Sequence, residues 1–287
     1  MARQLDIRSL WLAAIVLFVC VRPLRAQETP LLGLQAIQAE GQVIAGTSAK
    51  RGISSVSGFG GGANVRLRIN EMFFVQVGGG YAKLSFDEDD PITKWNWGYW
   101  NKLYRNYIVL WLGSDSAYFN GALVSLRAIS NTRLTSGTFT GKDSVYSVNL
   151  KPVQYLNTYP VTISFGARYR VLRWMEVSGM VTGTALSFER NLYLDETWTK
   201  RRKVDGGPDS GSFYYFQYSF RNFATPRRGL ALGLGGAIAA TLDLTRSVSL
   251  SLCGQYQQFT AQFRREEFDV LPMESVLVLG VGLRIVY

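Results

Sequence analysis

The stretch VLVLGVGLRIVY, residues 276–287, decides the fold. In an extended chain successive side chains point to opposite faces. Leu277, Leu279, Val281, Leu283, Ile285 and Tyr287 then share one face, and Gly280, Gly282 and Arg284 share the other. That is period-2 alternation, the signature of a strand with unlike surroundings on its two sides. The run stops on an aromatic residue, where the loose ends of soluble domains are usually polar. It reads as a working strand.

The same alternation recurs upstream. VTISFGARYR (161–170) sets Val161, Ile163, Phe165 and Tyr169 against Thr162, Ser164, Arg168 and Arg170. LALGLGGAIAATLDL (230–244) and SVSLSLCGQYQQ (247–258) repeat the scheme. Three connections are tight, at Ile69–Met72, at Leu172 and Arg173, and at Thr245 and Arg246. Three others are long, over 87–158, 190–228 and 265–274. Tight turns at one end and long loops at the other build an antiparallel up-and-down barrel of the outer-membrane kind. The pattern predicts eight strands, at 34–46, 55–68, 72–86, 159–170, 174–188, 229–243, 247–263 and 275–287. A further hairpin inside the first long connection, for instance 105–112 with 119–130, would make ten.

Alternation alone does not say which face is outside, because a soluble secreted barrel alternates too, with its apolar face inward. The polar face carries mostly Gly, Ala, Ser, Thr and Gln rather than Lys and Glu. Small polar side chains suit the cramped lumen of an eight-stranded barrel. The expectation is therefore a lipid-facing apolar exterior. Mean hydropathy is only +0.03, which would not by itself suggest a membrane.

Residues 1–26 read as a secretory signal peptide, with Arg3 and Arg8 before the apolar run LWLAAIVLFVCV (10–21) and a small residue at Ala26. The run is short for a membrane span. Residues 27–33 form a short tail and 34–287 the barrel. Removing the signal removes Cys20 and leaves Cys253 alone, so no internal disulfide forms. It also removes four arginines against Asp6, lowering the net charge from +10 to about +7. Such a charge makes an anionic partner worth looking for, and no nucleic-acid partner is expected.

These features together, the signal peptide, the hairpin GGGANVRLRINEMFFVQVGGGYAKLSF (60–86) and the C-terminal strand, resemble the small outer-membrane β-barrel family of Gram-negative-type bacteria, the OmpA/OmpX-like transmembrane barrels. The resemblance implies an outer-membrane location. It also implies that Val281, Leu283, Ile285 and Tyr287 form the signal read by the barrel assembly machinery. The long 87–158 segment departs from the smallest members of that family.

The chain has no histidine, which removes Ser-His-Asp triads and histidine metal sites. TSAK (47–50) and GFGGGA (58–63) match catalytic and nucleotide motifs only literally. The second lacks the helix that a dinucleotide loop needs. DEDD (87–90) has the oxygens for Ca²⁺ but reads as a solvated loop start. No catalytic residue, cofactor or metal site is expected.

Three other groups draw attention. Arg66, Arg68, Arg168, Arg170, Glu176, Asp243 and Arg284 would face the lumen near the short-turn end. There they either close the barrel by ion pairs or line a narrow pore for small solutes. The segment 94–113 holds Trp95, Trp97, Tyr99, Trp100, Tyr104, Tyr107 and Trp111. It is either an interfacial aromatic girdle with a small loop core or a binding surface for an extracellular glycan or protein. Lys200, Arg201, Arg202, Lys203, Arg227 and Arg228 would form a basic outer rim suited to lipopolysaccharide phosphates, or simply soluble loops. The expected role is structural or surface display through large extracellular loops, with outer-membrane lipids as neighbours; the alternative is a narrow pore.

Overall fold

The structure, a computed structural model, describes residues 33–50, 52–95, 116–125, 136–141, 144–203, 213–263 and 271–287. The signal segment 1–26 and the aromatic residues from Trp97 to Trp111 lie outside the described residues. Twelve strands are found among the described residues. They are β1 (Gly33–Ala49), β2 (Ile53–Arg68), β3 (Phe73–Glu88), β4 (Ser116–Phe119), β5 (Ala122–Ser125), β6 (Gly137–Thr140), β7 (Ser144–Leu172), β8 (Met175–Lys203), β9 (Phe213–Phe223), β10 (Arg227–Asp243), β11 (Val248–Phe263) and β12 (Met273–Val286).

Eight of them close into a ring, in the order β7-β3-β2-β1-β12-β11-β10-β8, with β8 returning to β7. Every pairing is antiparallel. The eight are those the alternation predicts, so the ten-strand alternative does not describe the wall. The extra strands sit elsewhere. β6, β4 and β5 extend from the first part of β7, and β9 pairs with the last part of β8. The C-terminal strand is the closing strand: β12 pairs with β1 from Val286 opposite Ala36 to Met273 opposite Ala49.

Two expectations fall short. The strands expected at 159–170 and 174–188 run over 29 residues each, as β7 and β8. They leave the wall together as a projecting ribbon, paired from Leu172–Met175 to Ser144–Arg202. Pro152 argues against a strand there, since proline is confined to sheet edges. Its position meets that rule: β7 pairs with β6 over 145–148 and with β3 over 155–167, leaving Pro152 a partner only in β8.

The short-turn end is built as expected. Asn70 Oδ1 accepts from the backbone N–H groups of Met72 and Phe73, at 2.8 and 2.7 Å. Thr245 Oγ1 accepts from those of Ser247 and Val248. Such side-chain turns reverse the chain in few residues. The apolar faces point out. Ile163, Val181, Leu234, Ile238 and Leu279 are each more than half exposed. Exposed aromatics border this belt, Tyr169, Trp174 and Tyr287 near the turns and Phe59 and Tyr81 toward the other end. A soluble barrel with its apolar face inward is the reverse of this arrangement. No helix of the described residues is long and apolar enough to cross a membrane.

Glycine allows the tight wall. A Cβ added to Gly235 would fall on the carbonyl oxygen of Tyr256 across the strand pair, and one on Gly58 would fall on that of Lys83. A Cβ on Gly179 meets nothing within 4 Å. Gly235→Ala is therefore expected to cost about 1–3 kcal/mol through forced backbone shifts, and Gly179→Ala close to nothing. Urea titration of the heat-dependent gel shift checks this, and equal midpoints for the two variants would refute it.

Candidate functional site: a closed lumen and a projecting ribbon

The start of β8 places Glu176 in the lumen, and three strands aim guanidinium groups at it, the adjacent β7 and, from across the ring, β2 and β12. Arg66 Nη1 and Arg284 Nη1 each stand 3.1 Å from Glu176 Oε1, and Arg168 Nη1 stands 3.4 Å from Oε2. Arg66, Arg284 and Glu176 are buried. Arg66 also donates to Gln76 Oε1 from Nε and Nη2, both at 3.2 Å, and lies 4.0 Å over the Phe74 ring. Buried charges persist only when paired and hydrogen-bonded, and this carboxylate pairs with three cations at once.

Of the seven expected lumen charges, these four meet. Arg170 pairs with Asp243 at 3.3 Å, at the solvent-exposed turn end, where Ser249 Oγ also donates to Asp243. Arg68 is exposed and takes part in none of these pairs.

Above the charged layer lies a polar cavity of about 60 Å³, bordered by Gln38, Glu40, Asn64, Gln76, Thr162 and Gln255. It has room for a few waters. Glu40 accepts there from the side-chain amides of Gln38 and Gln42. Higher still, the lumen is filled by a hydrophobic cluster that includes Leu84, Phe86, Leu156, Phe188, Phe259 and Leu271. This plug escaped the sequence reading, which assigned large apolar side chains to the lipid face. The signal was present in the phase: Leu84 and Phe86 follow Gly78 and Gly80 on the inward face of β3.

The aromatic and basic groups fare differently. Trp95 follows a short helical turn, Pro91–Lys94, and is buried against Leu192 and Ala224. Its carbonyl accepts from Arg227 Nη2 at 2.8 Å, and the Arg227 guanidinium lies 4.8 Å over its ring. Beside it Glu88 pairs with Arg190 at 2.9 Å and with Lys94 at 3.5 Å. One of the DEDD carboxylates is therefore engaged at the barrel mouth. Trp95 is thus a packed lid residue rather than part of an open surface.

The structure does not bring the six rim cations together. Arg227 stands opposite Arg190 on β8, and Lys200 to Lys203 follow 10 to 13 residues further along that strand, about 33–43 Å away at ~3.3 Å per residue. Arg228 pairs with Glu189 at 2.8 Å. Lys200 lies over the rings of Tyr146 and Tyr218, at 5.4 and 5.2 Å, and burial lowers its pKa. Arg201, Arg202 and Lys203 are exposed at the ribbon tip.

The ribbon has a core of its own. Tyr146 and Trp198 are buried with rings 4.8 Å apart, and the Tyr146 and Tyr218 hydroxyls are 2.7 Å apart. Trp198 Nε1 donates to Glu196. Beyond it, among the described residues, β9 is the outermost strand on this side of the sheet and pairs with β8 alone. Tyr214, Tyr215 and Phe216 are each more than half exposed, so aromatic side chains stand in solvent on both faces of β9. The sequence showed this run, FYYFQYSF (213–220), but read it as loop.

Val281, Leu283 and Ile285, which the resemblance implies carry an assembly signal, are exposed on the outer face of β12, and Tyr287, just past its end, is exposed too. No protein-family model matches the chain, and no curated protein matches it. Solved structures do resemble it in strand architecture. Neisserial surface protein A covers 89% of this chain with 99% of its own, at 10% identity and a TM-score of 0.41. A major outer membrane protein of Thermus thermophilus covers 88% with 100%, at 13% identity and 0.39. The attachment invasion locus protein of Yersinia pestis, solved with the heparin analogue sucrose octasulfate, covers 89% with 99%, at 9% identity and 0.37.

Removing Glu176 leaves three guanidinium groups without their counter-ion. Glu176→Leu is expected to cost about 3–5 kcal/mol. Arg170→Leu, which breaks the exposed pair, is expected to cost at most about 1 kcal/mol. Equilibrium urea unfolding in lipid vesicles separates the two, and equal losses would contradict the buried network.

Proposed function

We propose that the chain is a non-enzymatic outer-membrane barrel that anchors a projecting β-ribbon and presents it as a binding surface outside the cell. One observation carries the reading: β7 and β8 are 29 residues long, against 14 to 17 for the other six wall strands. A transmembrane strand needs ~9–11 residues, so both continue far past any bilayer. The continuation ends in an exposed aromatic edge strand, a form that recruits an extracellular glycan or protein through rigid anchors. The outward apolar belt with aromatic borders supports the membrane location.

The lumen supports display over transport. It is filled at one end by the Glu176 network and at the other by the Leu84–Phe86–Phe188–Phe259 cluster. An eight-stranded ring leaves little space between them. The barrel is delivered as a secreted chain, inserted by the assembly machinery and surrounded by outer-membrane lipids and lipopolysaccharide.

Two measurements test this. Refolded protein in a planar bilayer is expected to be silent, and Glu176→Gln silent as well, because the apolar plug remains. Reproducible conductance steps would favour the pore. Purified protein probed on an array of glycans and matrix proteins is expected to bind through β9. Replacing Tyr214 and Phe216 by Ser should weaken that binding about thirty-fold, the ~2 kcal/mol of an interface anchor. Unchanged binding by a correctly folded double variant would reject the ribbon as the display surface.

A further inference from the structure

At Leu192–Tyr193 the strand β8 changes partners, pairing with β10 below and with β9 above. The outer face at this fork carries a row of aromatic rings. Tyr81 and Tyr159 have centroids 5.5 Å apart, Tyr155 and Tyr193 6.3 Å, and Tyr193 and Phe223 5.3 Å. Tyr81 also donates to Asn157 Oδ1. The row sits directly above Val161, Ile163 and Phe165 on β7, so it continues the lipid-facing belt. It rises higher here than elsewhere because the ribbon leaves the wall here.

Two cations are laid onto the row from its flanks. Lys83 Nζ lies 4.5 Å from the Tyr155 centroid, and the Arg221 guanidinium lies 5.3 Å from that of Tyr193. Both residues are exposed. The other charges on this face are Arg228, paired with Glu189, Lys151, which with Arg221 stands in register with Asp195, and Asp87, exposed at the end of β3. Four cations thus face three carboxylates at the upper edge of the apolar belt. Lys83 stands in register with Phe59 and Asn157, neither of which can neutralise it.

We propose that this fork binds a phosphorylated glycolipid of the surrounding leaflet, with phosphates on Lys83 and Arg221 and the sugar ring faces on Tyr155 and Tyr193. The two cations are separated by the Tyr155–Tyr193 ring pair. A headgroup with two phosphates on a sugar backbone therefore reaches both, and one with a single phosphate reaches one. The aromatic bed takes the apolar faces of the sugars, and the guanidinium fork suits phosphate oxygens. The occupant is a membrane lipid rather than a soluble anion because the bed is continuous with the belt that takes acyl chains. This inference rests on the membrane reading above and places the anion site away from the tip cations Arg201 and Lys203.

The test uses full-length protein in phosphatidylcholine nanodiscs doped with diphosphorylated lipid A or with its dephosphorylated form. Native mass spectrometry after extraction counts the glycolipid retained. Wild type is expected to hold one diphosphorylated molecule, with retained fraction falling about ten-fold for the dephosphorylated form. Lys83→Gln/Arg221→Gln should fall as far, and Arg201→Gln/Lys203→Gln should match wild type. Equal retention of both lipids, or undiminished retention by the Lys83/Arg221 variant, overturns the inference. So does full displacement by soluble inositol hexakisphosphate. If the Lys83/Arg221 variant does not fold, the two lipids compared on wild type still decide. Failure of wild type to enter the nanodisc at all would overturn the membrane reading instead.

Discussion

Closure of the ring by β12 on β1 is the constraint on which the rest depends. An open sheet edge leaves a row of unpaired N–H and C=O groups, which hydrocarbon cannot satisfy. The pairing that removes both edges runs without a break from Ala36–Val286 to Gly46–Val276. Its last backbone bond, from the N–H of Tyr287 to the carbonyl of Gln35, is 3.0 Å long. The final strand must therefore alternate correctly to its last residue, since a slip of one position would turn Leu279, Leu283 and Ile285 into the lumen and Arg284 into the belt.

Closure at eight strands fixes what the interior can hold. The lumen is narrow enough for side chains from opposite walls to meet. Three cations can then share Glu176, at a depth where an unpaired guanidinium would be costly. The same narrowness lets Phe86, Phe188 and Phe259 meet across the other end. At Gly58 and Gly235 glycine stands where the wall itself crowds.

The wall was legible in the sequence and the ribbon was not, for one reason. Within a bilayer one face of a strand meets lipid and the other meets the lumen, so Val161, Ile163 and Phe165 alternate cleanly with their neighbours. Above it both faces meet mixed surroundings. On β8 the buried Leu194, Glu196 and Trp198 alternate with Asp195 and Thr197, a pattern without strong contrast. Pro152 on β7 then reads as a strand stop. The lumen cluster was legible as a set of charges but not as a geometry: nothing in spacing separates Arg66, on the carboxylate, from Arg68, two residues away in solvent. The rim cations show the converse limit, since residues grouped in the sequence reading lie at two heights once β8 is known to be continuous.

The fork at Tyr193 links these two regimes. Below it β8 is a wall strand between β7 and β10; above it β8 is the centre of a free-standing sheet between β7 and β9. A sheet that leaves a barrel must replace lipid and lumen with contacts of its own. It does so with Tyr146 and Trp198 on the face continuous with the lumen, and with Tyr155, Tyr193 and Phe223 on the face continuous with the belt. The strand is held rigid by the wall at its base and by aromatic packing along its length. The tip of the ribbon is therefore positioned relative to the wall by the β7–β8 ladder itself, which runs unbroken from Arg170–Glu176 to Ser144–Arg202.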